Sequence, residues 1–372
     1  MARLTRIVRD VVWGRRGAAG WAAWLALQPA SFVFAAAVGL RNLGYRIGLL
    51  RARRAAIPVV SVGNLSVGGT GKTPMTLWLA RQLTVRLSAA DGGKVAILLR
   101  GYGGHARTAT LVSAGAARGS TAADAIAAST DVETAGDEAV MLAKSFDGVV
   151  LTARRRIDGV ALAERLGCRV VVLDDGFQHR ALARDFDLVL VNGRHEALLP
   201  AGPMRERRSA LRRADAVALV LKTEDATPVT DPAWAAKPHV VVRFAARALV
   251  ESDAGRWREL PMGLLSGRHV AVIAGIAHPT PFYEAVRRWE AQIEEIFEYP
   301  DHYRYTQADW QRLSRATRNI EMIVTTEKDL VKLEQFPFAK GKLVALRIVP
   351  EVDGGDELVR LVMIRAHLTP AA

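Results

Sequence analysis

The stretch SVGNLSVGGTGKTPMTL, residues 61–77, constrains the fold of this chain more than any other. It departs by one letter from G-x-x-x-x-G-K-[ST], the pattern of a loop that cradles nucleotide phosphates. Gly71, Lys72 and Thr73 are in place, but Ser66 stands where the first glycine belongs. A β-rich run, IPVVSVGN (57–64), precedes the loop, and KTPMTLWLARQLTVRL (72–87) reads as the helix after it. Pro74 is tolerated in the first turn, where the N–H it lacks would be unpaired. Strand, glycine loop and helix form the context such a site requires, because the helix start offers free N–H groups and a positive dipole end. The alternative is a chance glycine-rich turn. The expected nucleotide cradle is therefore Ser66, Val67, Gly68, Gly69, Thr70, Gly71, Lys72 and Thr73. Lys72 would reach the β- and γ-phosphates, and Thr73 would hold Mg²⁺. Gly63 and the Gly68–Gly69 pair supply backbone freedom elsewhere, so a shifted loop geometry is compatible with Ser66.

Short Val/Leu-rich runs follow at 94–99, 148–153, 169–175, 187–192 and 215–222, with helical segments around 136–146 and 154–166. Continuous apolar strands of this kind are buried on both faces, as in a parallel sheet. The expected fold class is α/β: a P-loop NTPase-like, doubly wound, mostly parallel sheet. One of these strands ends in VVVLDDGFQHR and delivers Asp174 and Asp175. An acid at the end of a buried strand is the second half of a phosphate-loop site. One carboxylate can hold Mg²⁺ and the other can anchor the loop. A plain Asp-Gly turn is the alternative. A linker or surface loop is expected at 223–238, and a second αβ set after it, with β-runs at 239–244, 269–276, 292–300, 321–328 and 342–349. The Ala/Ser/Thr-rich stretch 112–130 reads as a mobile surface loop.

Charge is unevenly placed. The formal net charge is +13, and residues 1–60 hold ten arginines against one acid, Asp10. Such a balance favours anionic partners. Between Arg16 and Arg41 lies an uncharged stretch, GAAGWAAWLALQPASFVFAAAVGL. Its length is near the ~20 residues that span a bilayer. Gln28, Pro29 and Ser31 lie mid-segment, which equally fits a bent helix lying in the interface, its aromatic and aliphatic residues in lipid and arginines on headgroups. A cleaved signal and a buried helix pair are the remaining readings. The single cysteine, Cys168, excludes an internal disulfide and fits a reducing compartment. Nucleic-acid binding, suggested by the basic charge, finds no recognisable module, so no nucleic-acid partner is expected.

Other clusters are ambiguous by themselves. Asp137 and Glu138 in ETAGDEAVML open an apolar helix, where acids can simply complement the dipole. GPMRERRSALRR (202–213) fits a basic face or a phosphate clamp. YPDHYRY (299–305) sets His302 beside Asp301, and TTEKD (325–329) is equally open.

Taken in order, GNLSVGGTGKTP, RGYGG, ETAGDEAVMLA, LDDGFQHRALARDFDLVLVN, PAGPMRER, AGIAHPTPFYE, PDHYRYTQAD and TTEKDLVKL closely resemble the tetraacyldisaccharide 4′-kinase family, the lipid A kinases of Gram-negative bacteria. The likeness runs over roughly residues 20–350, and that family's loop also lacks the first glycine. The resemblance implies transfer of the γ-phosphate of ATP, with Mg²⁺, to the 4′-hydroxyl of a tetraacyldisaccharide 1-phosphate at the cytoplasmic face of the inner membrane. It implies an N-terminal membrane-associated segment (1–55), a P-loop kinase core (56–225) and a smaller C-terminal α/β domain (226–372) closing over nucleotide. Lys72 and Thr73 then take the γ-phosphate and Mg²⁺ roles, and Asp174 and Asp175 match the second acidic motif. Asp137 resembles the proposed catalytic base, with His302 its partner. Arg205 and Glu206 match a motif lying near the nucleotide or Mg²⁺. The lipid substrate and an anionic membrane surface are the implied partners, and the oligomeric state is left open. The competing class is a membrane-bound P-loop switch or chaperone ATPase, which has no need of Asp137 paired with His302.

Overall fold

The computed structural model describes residues 13, 17–91, 93–105, 108–115, 132–193, 197–221, 232, 234–253, 256–337 and 341–368. Of the expected surface loop 112–130, residues 112–113 instead end a strand, Thr110–Ser113, and 116–130 lie outside the described residues, as do residues 223–231 of the expected linker 223–238.

Helix α1 (Gly17–Arg46) carries the apolar stretch as one 30-residue helix with Pro29 inside it. At 1.5 Å per residue such a helix is about 45 Å long. By length and composition it is apolar enough to cross a membrane, and little of it is buried against the rest of the protein. Ser31 is one of its few buried residues. Its hydroxyl donates to the Leu198 carbonyl and accepts from the Ala201 N–H, which docks the helix on the segment around residue 200.

From there the chain builds β1 (Val59–Asn64), α2 (Lys72–Asp91), β2 (Lys94–Leu99), β3 (Thr110–Ser113), the one-turn α3 (Val132–Ala135), α4 (Asp137–Ser145), β4 (Val149–Thr152), α5 (Arg156–Arg165), β5 (Cys168–Asp174), β6 (Phe186–Val191) and β7 (Ala216–Leu221). The second half contains β8 (His239–Asp253), β9 (Arg256–Leu260), β10 (His269–Ala274), α6 (Thr280–Arg287), β11 (Gln292–Glu298), α7 (Gln307–Ala316), β12 (Met322–Thr326), α8 (Glu327–Leu333), β13 (Leu343–Asp353) and α9 (Gly355–Arg365). All the described strands join one sheet, ordered β11-β10-β12-β13-β8-β7-β6-β1-β5-β2-β4-β3, with β9 added on β8. Pairing is parallel except at β3–β4, β8–β9 and β8–β13.

Two features position the site. First, β1 is buried along its length between β5 and β6, both parallel to it. The chain leaves β1 toward β2 on one side and later returns to β6 on the other. That reversal opens a crevice at the carboxyl ends of the strands, where α/β proteins hold ligands. Second, β8 is one 15-residue strand where the sequence predicts a run of six, 239–244. Its first part pairs with β7, and most of its length, from Val241 to Glu251, pairs with β13, so this ribbon joins the two halves of the sheet. After β13 the chain returns to the first half. Leu358, Val359 and Val362 of α9 pack into one core with Met75, Leu79 and Leu83 of α2.

Candidate active site

The phosphate loop links β1 to α2, and its odd serine has a structural reason. Ser66 bridges Met204 in antiparallel fashion, the Val67 N–H donates to the Pro203 carbonyl at 2.8 Å, and the Arg205 N–H donates to the Leu65 carbonyl at 2.7 Å. Residues 65–67 are therefore a short strand against 203–205. Extended backbone accepts any residue, so no glycine is needed there. The left-handed conformations fall later, at Gly68 (φ +106°) and Gly71 (φ +81°). Gly63 serves close approach instead: a Cβ there would lie 2.6 Å from Phe177 Cβ and 3.0 Å from its backbone nitrogen. Gly63→Ala is expected to cost about 1–3 kcal/mol, because the DDGF turn has to give way in a packed core. A urea midpoint unchanged from wild type would refute this.

Gly68 through Thr73 line a cavity of about 880 Å³ at the carboxyl ends of the strands. Asn64 Nδ2 donates to Thr70 Oγ1 at 2.6 Å, bracing the loop from below. The Thr73 hydroxyl donates to Asp174 Oδ2 at 2.9 Å, and Thr76 donates to Oδ1 at 3.1 Å. Burial, followed by the neighbouring Glu138 and Asp175 charges, pushes the Asp174 carboxyl up to about 6, against the pull of Lys72. A buried anion so poorly balanced, touching a threonine hydroxyl, is a hard-oxygen set of the kind that suits Mg²⁺ with phosphate and water completing the shell. Asp175 is held differently. Burial acts to raise it, but a two-pronged ion pair from Arg205, at 2.9 Å on each oxygen, and the charges of Lys72 and Arg156 hold it below the usual carboxylate range. Its backbone is left-handed (φ +53°), a conformation costing about 1–2 kcal/mol outside glycine.

The opposite wall comes from the second half of the chain, through Ile276, Pro281, Asp301, His302 and Lys328. His302, also left-handed (φ +58°), places Nδ1 3.1 Å from Asp137 Oδ2. Gly136 (φ +89°) lets α4 begin against the RGYGG loop; a Cβ there would fall 2.3 Å from the Tyr102 carbonyl oxygen. Burial acts to raise the Asp137 carboxyl, but the His302 hydrogen bond and the charges of Lys328, His302 and Lys332 outweigh it and hold it low. The bond to Asp137 lifts the imidazole above its ordinary value, with burial and Lys328 opposing. Lys328 Nζ lies 3.0 Å from His302 Nε2, 3.1 Å from Asp301 and 3.6 Å from Glu138. Lys332, buried behind, lies 2.8 Å from Asp329 and 3.8 Å from Asp137.

The residues singled out from sequence are thus unevenly placed. Lys72, Thr73, Asp174, Asp175 and His302 share the cavity wall. Asp137 stands just behind it, with Oδ1 accepting from the Glu138 N–H at 2.9 Å, so the imidazole rather than the carboxylate is the member with cavity surface. Ser66 and Val67 are committed to the pairing with 203–204 and lie off the wall. Arg205 reaches the site through Asp175. Glu206, expected as a metal ligand, is not positioned as one: its carboxylate is 1% exposed and accepts from both Arg213 terminal nitrogens at 3.1 Å and from Asn42 of α1 at 2.8 Å. Its oxygens are already satisfied, and it ties α1 to the body. Sequence reading assigned no role to Arg156 or Lys328. Arg156 donates to the Asp174 carbonyl at 3.0 Å, and burial pulls its guanidinium down to about 10.

The family model described as LpxK, tetraacyldisaccharide-1-P 4′-kinase, matches residues 23–364. The chain belongs to this family. It is 38% identical over 367 residues to the tetraacyldisaccharide 4′-kinase of Anaeromyxobacter sp. (strain Fw109-5), with 94% of each chain covered. It is 40% identical over 343 residues to that of Anaeromyxobacter dehalogenans (strain 2CP-C), covering 87% of this chain and 86% of the other. Among solved structures it resembles Aquifex aeolicus LpxK, crystallised in complex with ATP, at a TM-score of 0.75 and 29% identity over 92% of this chain and 99% of that one.

Proposed function

We propose that the chain transfers the γ-phosphate of ATP to the 4′-hydroxyl of a tetraacyldisaccharide 1-phosphate, forming lipid IVA in lipid A biosynthesis. The observation that carries this reading is one cavity with a phosphate loop on one wall and an imidazole–carboxylate pair on the other. Phosphoryl transfer needs positioning and charge neutralisation above all. Gly68 to Thr70 present backbone to the phosphates, and Lys72 meets the β- and γ-oxygens. Thr73 and Asp174 would hold Mg²⁺, which supplies charge neutralisation across the phosphates when bound. Asp175, pinned by Arg205, stays ionised beside them and anchors the loop. The acceptor is a sugar hydroxyl, a weak nucleophile that must lose its proton as it attacks. The Asp137–His302 pair accepts that proton as a unit, with the imidazole facing the cavity and the carboxylate orienting it.

Because His302 arrives from the second half of the chain, the pair is complete only when residues 226–372 sit over the core at 56–225. Such an arrangement limits idle hydrolysis by water. Helix α1 and the arginines of residues 1–55 keep the site at headgroup height on the cytoplasmic face of the inner membrane, where an acylated anionic acceptor resides. A switch or chaperone ATPase has no use for a proton-accepting pair opposite its phosphate loop. The test is transfer of label from γ-³²P-ATP to the purified lipid disaccharide, with ATP turnover measured in its presence and absence. Lipid IVA labelling that depends on Mg²⁺ is the expected result. ATP turnover indifferent to the lipid would favour the switch.

A further inference from the structure

Lys328 lies in the first turn of α8 and lines the cavity with its side chain 16% exposed. Its contacts with Asp301 and Glu138 are ordinary ion pairs. The 3.0 Å approach to His302 Nε2 is not, because both nitrogens can carry a proton and only one proton fits between them. With Nδ1–H donating to Asp137, Nε2 offers the lone pair of a neutral imidazole, and the Lys328 ammonium donates to it. That lone pair is the one the proton-accepting pair needs. While Lys328 holds it, the acceptor hydroxyl has nowhere to deliver its proton. A second proton on the ring would also set an imidazolium against an ammonium, with Lys332 a further cation behind Asp137.

The same cavity offers the lysine another partner. Its far wall is the phosphate loop, and a bound triphosphate brings a concentrated negative charge into the shared space. A lysine ammonium has three donors on a flexible four-carbon stem and can turn to a new anion without losing its proton. Asp301 and Glu138, the carboxylates beside it, keep it charged in either place.

Building on the kinase reading, we propose that Lys328 is a further catalytic residue with two positions. It rests on His302 Nε2 when no triphosphate is present, and it moves to a γ-phosphate oxygen when one is bound, freeing Nε2 to take the hydroxyl proton. The only covalent changes are those of the transfer itself: the acceptor oxygen bonds to the γ-phosphorus, the bond to the ADP oxygen breaks, and the proton passes to Nε2. Base competence and γ-phosphate binding are thereby linked through one side chain.

The discriminating measurement compares a Mg²⁺-bound, non-hydrolysable ATP analogue with Mg-ADP on the full chain in detergent micelles. Lys328→Met is expected to weaken the triphosphate analogue about tenfold or more, leave ADP within about twofold, and lower kcat by about 10- to 100-fold. Lys328→Arg should recover much of that loss. A lysine that merely braces the loop would change both nucleotides alike, or neither, and either result overturns the proposal. In wild type, which no folding defect can confuse, reductive methylation of Lys328 followed by mass spectrometry should be slowed by the triphosphate analogue and not by ADP. Equal protection by the two refutes it. Wild-type transfer to the lipid disaccharide is measured alongside. Its absence would instead sink the kinase reading, and this inference with it.

Discussion

Asp137→Asn is expected to lower kcat for lipid phosphorylation by about 10³-fold while leaving ATP affinity within about threefold. The amide keeps the shape of the carboxylate but not its charge. Asp137 Oδ2 accepts from His302 Nδ1, and an asparagine can meet that nitrogen with an N–H, which favours the wrong tautomer and puts the ring proton on Nε2. The imidazolium formed during transfer also loses its counter-charge. The pH profile carries a second signature. Because the bond to Asp137 raises the His302 pKa, the wild-type kcat should fall as pH drops through a value above the ordinary ~6.5 of histidine. In Asp137→Asn that limb should move down, since the lift from the carboxylate is gone while the burial of the ring remains. The assay is run at saturating Mg²⁺, so that Asp174 is held ionised and adds no limb of its own. Stability follows the same linkage. The depressed Asp137 pKa contributes stability above the unfolded carboxylate value, and it is lost as pH falls through the folded one. The raised His302 pKa contributes below the unfolded imidazole value and is lost as pH rises through the folded one. The pair therefore helps most between about pH 4 and 6.5, the two unfolded values. A kcat within tenfold of wild type, with an unmoved acid limb, would remove Asp137 from the chemistry.

The central strands of the sheet were readable from their continuous apolar runs, since burial on both faces leaves no alternation to misread, whereas the short β3 and β9 gave no such run. The cradle was readable because Gly71, Lys72 and Thr73 bring strand, loop and helix with them. What escaped depends on contacts far apart in sequence. Ser66 looks anomalous until residues 203–205 are known to pair beside it. Glu206 was misassigned for a related reason. Next to Arg205 in extended chain its side chain points the opposite way, and Arg205 already faces Asp175. That alternation was available in PMRER, but only once the segment was known to be a strand. Strand β8 runs on past Phe244 through AARALVESD, where the valine-rich run gives way to alanines and charges and so marks no strand in the sequence. Lys328 could not be ranked above other lysines, because its partners come from α4 and from the loop before α7.

Deleting residues 1–40 is expected to cut phosphorylation of vesicle-borne lipid by at least about 100-fold at low vesicle concentration, with ATP affinity nearly unchanged. Leu25, Phe32, Val33 and Leu40 are 66 to 72% exposed on α1, and Trp21 is 51% exposed. Burying an aliphatic or aromatic side chain is worth about 1.5–3 kcal/mol, so the exposed fractions of the first four alone amount to roughly 4–8 kcal/mol in lipid. That is ample to set the share of enzyme at the membrane. The cut has to stop at 40. Asn42 donates to Glu206, and Arg41 lies 3.9 Å from it; stripping both would leave a buried carboxylate with Arg213 as its main support. Damage there would spread through the adjoining Arg205 to Asp175 and so imitate a catalytic defect. With the cut at 40, the two roles of α1 separate. An anchor lost from a sound body shows a defect that mixed micelles presenting the same lipid largely repair, because the enzyme no longer has to find a bilayer. A helix needed for folding shows equal losses with vesicles, with micelles and in ATP binding, since no presentation of the acceptor rebuilds the site.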